Sequence, residues 1–158
     1  MATTTFIKFD GIAGESTTKD HPGEIEVLSW NWGLDVTTLT SGGGGASVGR
    51  PKPRDIHFIH RYDKASPVLM RTAAMGRRIA TAVISARKAG AGQKDFLIIT
   101  LKDVLVTSLA AGDDGNGPTE HVTLTYGDIK FSYRPQTASG ALGTPVEVDW
   151  NVRTGTVT

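Results

Sequence analysis

The chain has 158 residues, 39% of them hydrophobic and 21% charged, with a formal net charge of +1 and no cysteine. That balance suits one folded domain spanning residues 1–158 with a real core and argues against a disordered chain. The missing cysteines exclude disulfides, thiolate metal sites and thiol nucleophiles, and no apolar run approaches the roughly 20 residues of a membrane-spanning helix.

Thr3 to Asp10 reads as a short β-prone run closed by Gly11. The N-terminal residues lack a basic segment followed by an apolar one, so no cleavable secretory signal is expected and the chain should fold in the cytoplasm. Glu24 to Val36 is the most informative strand. Leu28, Trp30, Trp32, Leu34 and Val36 alternate with Ser29, Asn31, Gly33 and Asp35, the period-2 pattern of a strand buried on one face. Ile25 and Val27 have the opposite phase, which predicts a bulge near Val27.

Leu39 to Pro53 holds Gly42, Gly43, Gly44, Gly45, Gly49, Pro51 and Pro53, and on composition it is a long loop. Arg54 to Tyr62 is a strand with Ile56, Phe58, His60 and Tyr62 on one face. One helix is expected from about Pro67 to Met75, with Ser66 as N-cap, Gly76 as stop, and Val68, Leu69, Thr72, Ala73 and Met75 on its apolar side. Further strands are expected over Ile79 to Lys88, Asp95 to Leu109, His121 to Tyr133 and Val146 to Val152, with a bulge at Gly127-Asp128. Seven or so strands and one short helix make the chain mainly β, an antiparallel barrel or sandwich with one flanking α-helix.

Charge is unevenly distributed. Residues 50–94 hold eleven Lys or Arg against two acids, a local net of +9, and the remainder nets −8. The basic segment contains only Phe58 and Tyr62 as aromatics, too few for a nucleic-acid stacking platform, so contacts between oppositely charged regions of successive copies are the better reading.

Motifs for chemistry are incomplete. Gly44 to Gly49 has phosphate-loop glycine spacing, but Arg50-Pro51 stands where Lys and a hydroxyl residue are needed. Gly14-Glu15-Ser16 lacks the closing glycine of a nucleophile elbow, and Asp113 to Gly117 lacks the ligand pattern of a calcium loop. His57 and His60 fall on opposite faces of one strand, while His21 and His121 lie near turns, so all four are read as core or surface histidines. No catalytic set, cofactor or metal site is expected.

Specific runs carry a resemblance. Phe6 to Ser16, His21, Glu24 to Gly33, the Gly42–Gly45 segment, Asp63 to Met70, Arg87 to Gly90, Phe96 to Val106, Glu120 to Leu124 and Val148 to Val152 together resemble the haemolysin-coregulated protein family of bacterial type VI secretion systems. Asn31 stands where relatives often carry serine. The resemblance implies a phage tail-tube-like β-barrel that assembles as a hexameric ring and stacks into a tube. A contractile sheath propels such a tube out of the cell under a VgrG-type spike, and effector proteins can travel in its lumen. It also implies that the protein is cytoplasmic before firing and secreted afterwards, without nucleic-acid binding or membrane insertion. Ser29, Asn31 and Gly33 are then the expected lumen contacts, and Gly42, Gly43, Gly44, Gly45 and Gly49 the expected inter-ring loop. The competing reading is a monomeric β-barrel ligand-binding module that uses Trp30 and Trp32 in a pocket.

Overall fold

The computed structural model describes residues 2–41, 45–90 and 92–158. In chain order the elements are β1 (Thr3–Phe9), β2 (Ile25–Asn31), β3 (Leu34–Asp35), β4 (Thr38–Ser41), β5 (Gly45–Val48), β6 (Lys52–Pro53) and β7 (Ile56–Arg61). Helix α1 (Ala65–Ala74) follows, then β8 (Ile79–Lys88), β9 (Asp95–Asp113), β10 (Pro118–Thr125), β11 (Asp128–Tyr133), β12 (Val146–Asn151) and β13 (Thr156–Val157).

Six strands close into an antiparallel barrel in the order β10-β7-β2-β1-β8-β9, with β10 returning to pair with β9. Closure leaves these six without a free edge for uncontrolled pairing. The long strand β9 makes it possible: its first half pairs with β8, its second half with β10. Strands β11, β12 and β13 continue the sheet as a flap hanging from the first half of β9.

Alternating side chains fill the barrel. Ile7 and Phe9, Ile25 and Val27, Ile56 and Phe58, Ile84, Leu101, Val122 and Leu124 are buried, and Leu69 of α1 joins them. Each such side chain contributes roughly 1.5–3 kcal/mol when removed from water. One pair breaks the apolar rule: His60 and Glu120 are both buried, joined Nε2 to Oε1 at 2.9 Å.

A second buried layer lies outside the barrel wall. The segment between β1 and β2 folds back so that His21 stacks on Phe6, ring centroids 4.5 Å apart. His21 is held by Glu24 at 2.8 Å and Asp95 at 2.9 Å, and Asp95 also accepts from Arg87 Nε at 3.0 Å.

The strand from Glu24 is interrupted earlier than its pattern suggests. A register shift between Val27 and Ser29 against β7 is the expected bulge. It turns Leu28 outward, 46% exposed, and β2 ends at Asn31. Leu34 and Val36 are therefore not on a buried face; they belong to a hairpin arm and stay exposed.

The expected loop over Leu39 to Pro53 is corrected by that arm. Strand β3 pairs with β6 (Leu34↔Pro53, Asp35↔Lys52), and β4 pairs with β5 (Thr38↔Val48 to Ser41↔Gly45). Thr38, Thr40 and Val48 are β-branched and favour the extended chain that glycine and proline content obscured. Proline is tolerated in β6 because this short ladder has open edges. Gly42, Gly43 and Gly44 of the expected inter-ring loop lie outside the described residues.

The helix also starts earlier than expected, at Ala65. Ser66 is not the N-cap but a buried residue of the first turn. Asp63 supplies the cap instead: its Oδ1 accepts from the Ala65 N–H at 2.9 Å, and its own N–H donates to Ser66 Oγ at 3.2 Å. Gly76, at φ +63, ends the helix as expected, and the Arg77 N–H reaches back to the Thr72 carbonyl at 3.0 Å. Met75 is 56% exposed rather than part of the apolar side.

His121 to Tyr133 is two strands and not one bulged strand. Both β10 and β11 run antiparallel to β9, separated at Tyr126-Gly127, and the register shift lies between Thr123 and Leu124. The Gly127 N–H donates to the Lys102 carbonyl at 2.9 Å, and its carbonyl accepts from Val152 at 2.9 Å, so this break anchors the flap to the barrel.

Candidate functional site

The barrel wall formed by β2, β7, β10 and the second half of β9 presents its outer face uncovered. Strand alternation puts Ser29 and Asn31 on that face, because Val27 and Trp30 turn inward. Register then places His57 opposite Asn31 and Ile59 opposite Ser29. On the next strand, Thr123 lies opposite His57 and His121 opposite Ile59. Ser108 and Ala110 of β9 continue the same small-residue surface.

Within this face the Asn31 amide meets His57 Nδ1 at 3.3 Å, and the rings of His57 and His121 stand 5.4 Å apart. The structure thus joins Asn31 to two histidines that sequence reading left among ordinary core and surface residues. The other two, His21 and His60, are buried as core groups. Alternation predicts the side of the strand for His57, but only the β7–β10 register brings His121 beside it.

Gly33 has a different place. A Cβ there would meet the Arg54 side chain at 3.0–3.2 Å, and its carbonyl accepts from the Arg54 N–H at 2.9 Å. It sits at the root of the arm, two residues past the end of β2 that carries Ser29 and Asn31. Arg54 also grips Asp35 in a two-point ion pair, and this holds the Asp35 carboxyl below the usual carboxylate range. Gly49 is required by backbone contact: its N–H donates to the Thr37 carbonyl at 2.5 Å, and a Cβ would lie 2.8 Å from that oxygen. Gly45 opens β5.

Trp30 and Trp32 are both engaged in packing. Trp32 donates from Nε1 to Tyr126 Oη at 2.6 Å and packs on Phe131 at 4.8 Å between ring centroids; Trp30 packs on the core. Tyr126 in turn donates to the Arg54 carbonyl at 2.6 Å, and burial pushes its phenol up to about 12. Trp32 therefore ties the arm's root to the barrel through Tyr126, a role that the sequence pattern does not reveal.

Part of the basic segment is neutralised within the chain. Arg54 pairs with Asp35, Arg78 and Arg153 converge on Asp103, and Arg87 binds Asp20 and Asp95. Among the described residues, no group of three or more His, Cys, Asp or Glu could hold a metal ion, and no helix is long and apolar enough to cross a membrane.

The closed six-strand antiparallel barrel with one helix and a projecting β-arm sets the fold class. Residues 6–133 match the family model described as "Type VI secretion system effector, Hcp". The chain is 41% identical over 157 residues to Protein hcp1 of Pseudomonas aeruginosa, covering 97% of each. It superimposes on the crystal structure of Hcp1 from Salmonella typhimurium with TM-score 0.82, 30% identity and full coverage of both chains. A solved type six secretion system protein aligns with TM-score 0.92 and 26% identity, covering 99% of this chain and 100% of its own. The chain belongs to the Hcp family, a family of structural type VI secretion tube proteins and not of enzymes.

Proposed function

We propose that this protein is a tube subunit that closes into hexameric rings and stacks into a hollow conduit. The polar wall of β2, β7 and β10 faces the lumen, and the arm from β3 to β6 reaches the next ring. Effector proteins travel against Ser29 and Asn31, a VgrG-type spike caps the tube, and a contractile sheath drives it from the cytoplasm out of the cell. The observation that carries this reading is the arm: Leu34, Val36 and Val48 are 45%, 47% and 72% exposed, apolar surface with no cover in the single chain. A head-to-tail contact that closes on itself forms a ring, and an arm that reaches from one ring to the next would bury these side chains.

Light scattering coupled to size exclusion, followed by imaging of the particle, tests it. A monomer at every accessible concentration would remove the proposal. Shortening Gly42 to Gly45 should leave rings but impair stacking and secretion; normal tubes from that variant would move the inter-ring contact elsewhere. Stacking should also loosen at high salt before the ring dissociates, since exposed ionic contacts weaken as the screening length falls from about 10 Å at 0.1 M to about 3 Å at 1 M. An Asn31→Gln ring that still captures effectors at full affinity would take Asn31 out of the cargo contact.

A further inference from the structure

We propose that His57 and His121 form a binding site for a late first-row transition-metal ion, such as Zn2+ or Ni2+, on the uncovered polar face of the barrel. Their rings lie 5.4 Å apart on adjacent strands β7 and β10, tilted by 47°, a spacing across which one nitrogen from each can reach a common ion. Two imidazole nitrogens held about 2.0–2.1 Å from a tetrahedral ion stand roughly 3.3 Å from each other. Both strands belong to the closed barrel and are fixed by continuous pairing from Thr119↔Arg61 to Leu124↔Ile56, so rotation of the two side chains is the adjustment left to reach that geometry.

The surroundings support ligation. His121 is exposed and His57 half-buried, so an ion can enter from solvent. Asn31 Nδ2 lies 3.3 Å from His57 Nδ1, and the two ends of this amide can exchange places by rotation about its terminal bond. Turned so that its oxygen accepts from an Nδ1–H, it leaves the Nε2 lone pair of His57 free for the ion, the outer-shell arrangement that fixes the tautomer of metal-bound histidines. His21 and His60 are already engaged by Glu24, Asp95 and Glu120, which leaves this pair as the two histidines available to an ion.

Ser29, Ile59, Thr123, Ser108 and Ala110 are the register neighbours of the pair, and none is a carboxylate. Imidazole ligation without carboxylates selects zinc, nickel or copper over magnesium or calcium. With two protein ligands the ion keeps open positions, available to water or to a carboxylate or imidazole of a bound peptide. This site depends on the single chain and stands whether or not rings form.

The test is equilibrium dialysis and titration calorimetry of the untagged protein at neutral pH with ZnCl2, NiCl2 and, as control, MgCl2. The expected result is one saturable Zn2+ or Ni2+ per chain and none for Mg2+. His57→Gln and His121→Gln should each weaken binding at least tenfold, and Asn31→Ala about tenfold. Binding should also raise the thermal midpoint of the wild-type chain but not of the double glutamine variant. The variants are surface changes, so their metal-free circular dichroism and unfolding should match wild type. Absence of saturable binding, or undiminished binding by the double variant, would overturn the proposal.

Discussion

Arg54 and Asp35 face each other in a bidentate ion pair, Nε to Oδ2 and Nη2 to Oδ1, both at 2.7 Å. Arg54 also gives its N–H to Gly33 and its carbonyl to Tyr126, so one residue joins the arm, the end of β2 and the barrel floor. The pair is solvent-exposed, and its effect is local order rather than global stability. Arg54→Ala should leave the denaturant midpoint near wild type while amide exchange across β3 and β6 accelerates.

The same pair sets a pH response. Arg54 depresses the folded-state pKa of Asp35, chiefly through its hydrogen bonds. A depressed carboxylate contributes order above its ordinary pKa of about 3.9 and loses it as pH falls through the folded value. The slowly exchanging Arg54 Nε–H signal should persist to about pH 4 and vanish in stronger acid. Loss already at pH 6 would assign the arm's order to its backbone ladder instead.

His60 and Glu120 are the buried polar pair of the barrel. Removing one partner strands the other, so Glu120→Ala should cost about 3 kcal/mol in urea unfolding. Replacing both with leucine should recover much of that, because an apolar pair needs no partner. A double variant as unstable as the single one would show that Asp63, 3.9 Å from His60 Nδ1, carries part of the network.

Tyr126 bridges Trp32 and the Arg54 carbonyl. Tyr126→Phe keeps the ring but leaves the indole N–H and the carbonyl without that oxygen, at a cost of about 1–3 kcal/mol. Tryptophan emission should shift to the red as water reaches Trp32. Unchanged emission with unchanged stability would remove the proposed tie between arm and barrel.

Asp128 and Asp149 share the flap, and burial together with a hydrogen bond and repulsion from Asp149 raises the Asp128 carboxyl. A raised folded pKa gives stability that is full below about 3.9 and lost as pH climbs through the folded value. Asp128→Asn should therefore raise the thermal midpoint at neutral pH by about 1–2 °C, a small gain because solvent screens the pair. At acid pH the two chains should melt together.

Local pattern determined most of the barrel. Alternation in β2 and β7, the Val27 bulge, the Gly76 stop and the mainly β class all follow from residue chemistry within a few positions of each other. The same reading failed where a distant partner overrides composition. Glycine and proline suggested a loop over 39–53, yet cross-strand pairing makes it an arm, and Gly49 is there because the Thr37 carbonyl leaves no room for a Cβ. Leu34 and Val36 follow the apolar alternation of β2, but Arg54 and Tyr126 pin the chain where it leaves the barrel. The polar face divides likewise. Ser29 and Asn31 are legible from period 2, whereas His121 reaches His57 across 64 residues only through the β7–β10 register. Side-chain chemistry and spacing state which way a strand faces; barrel closure decides which strands stand beside one another, and no local spacing encodes that.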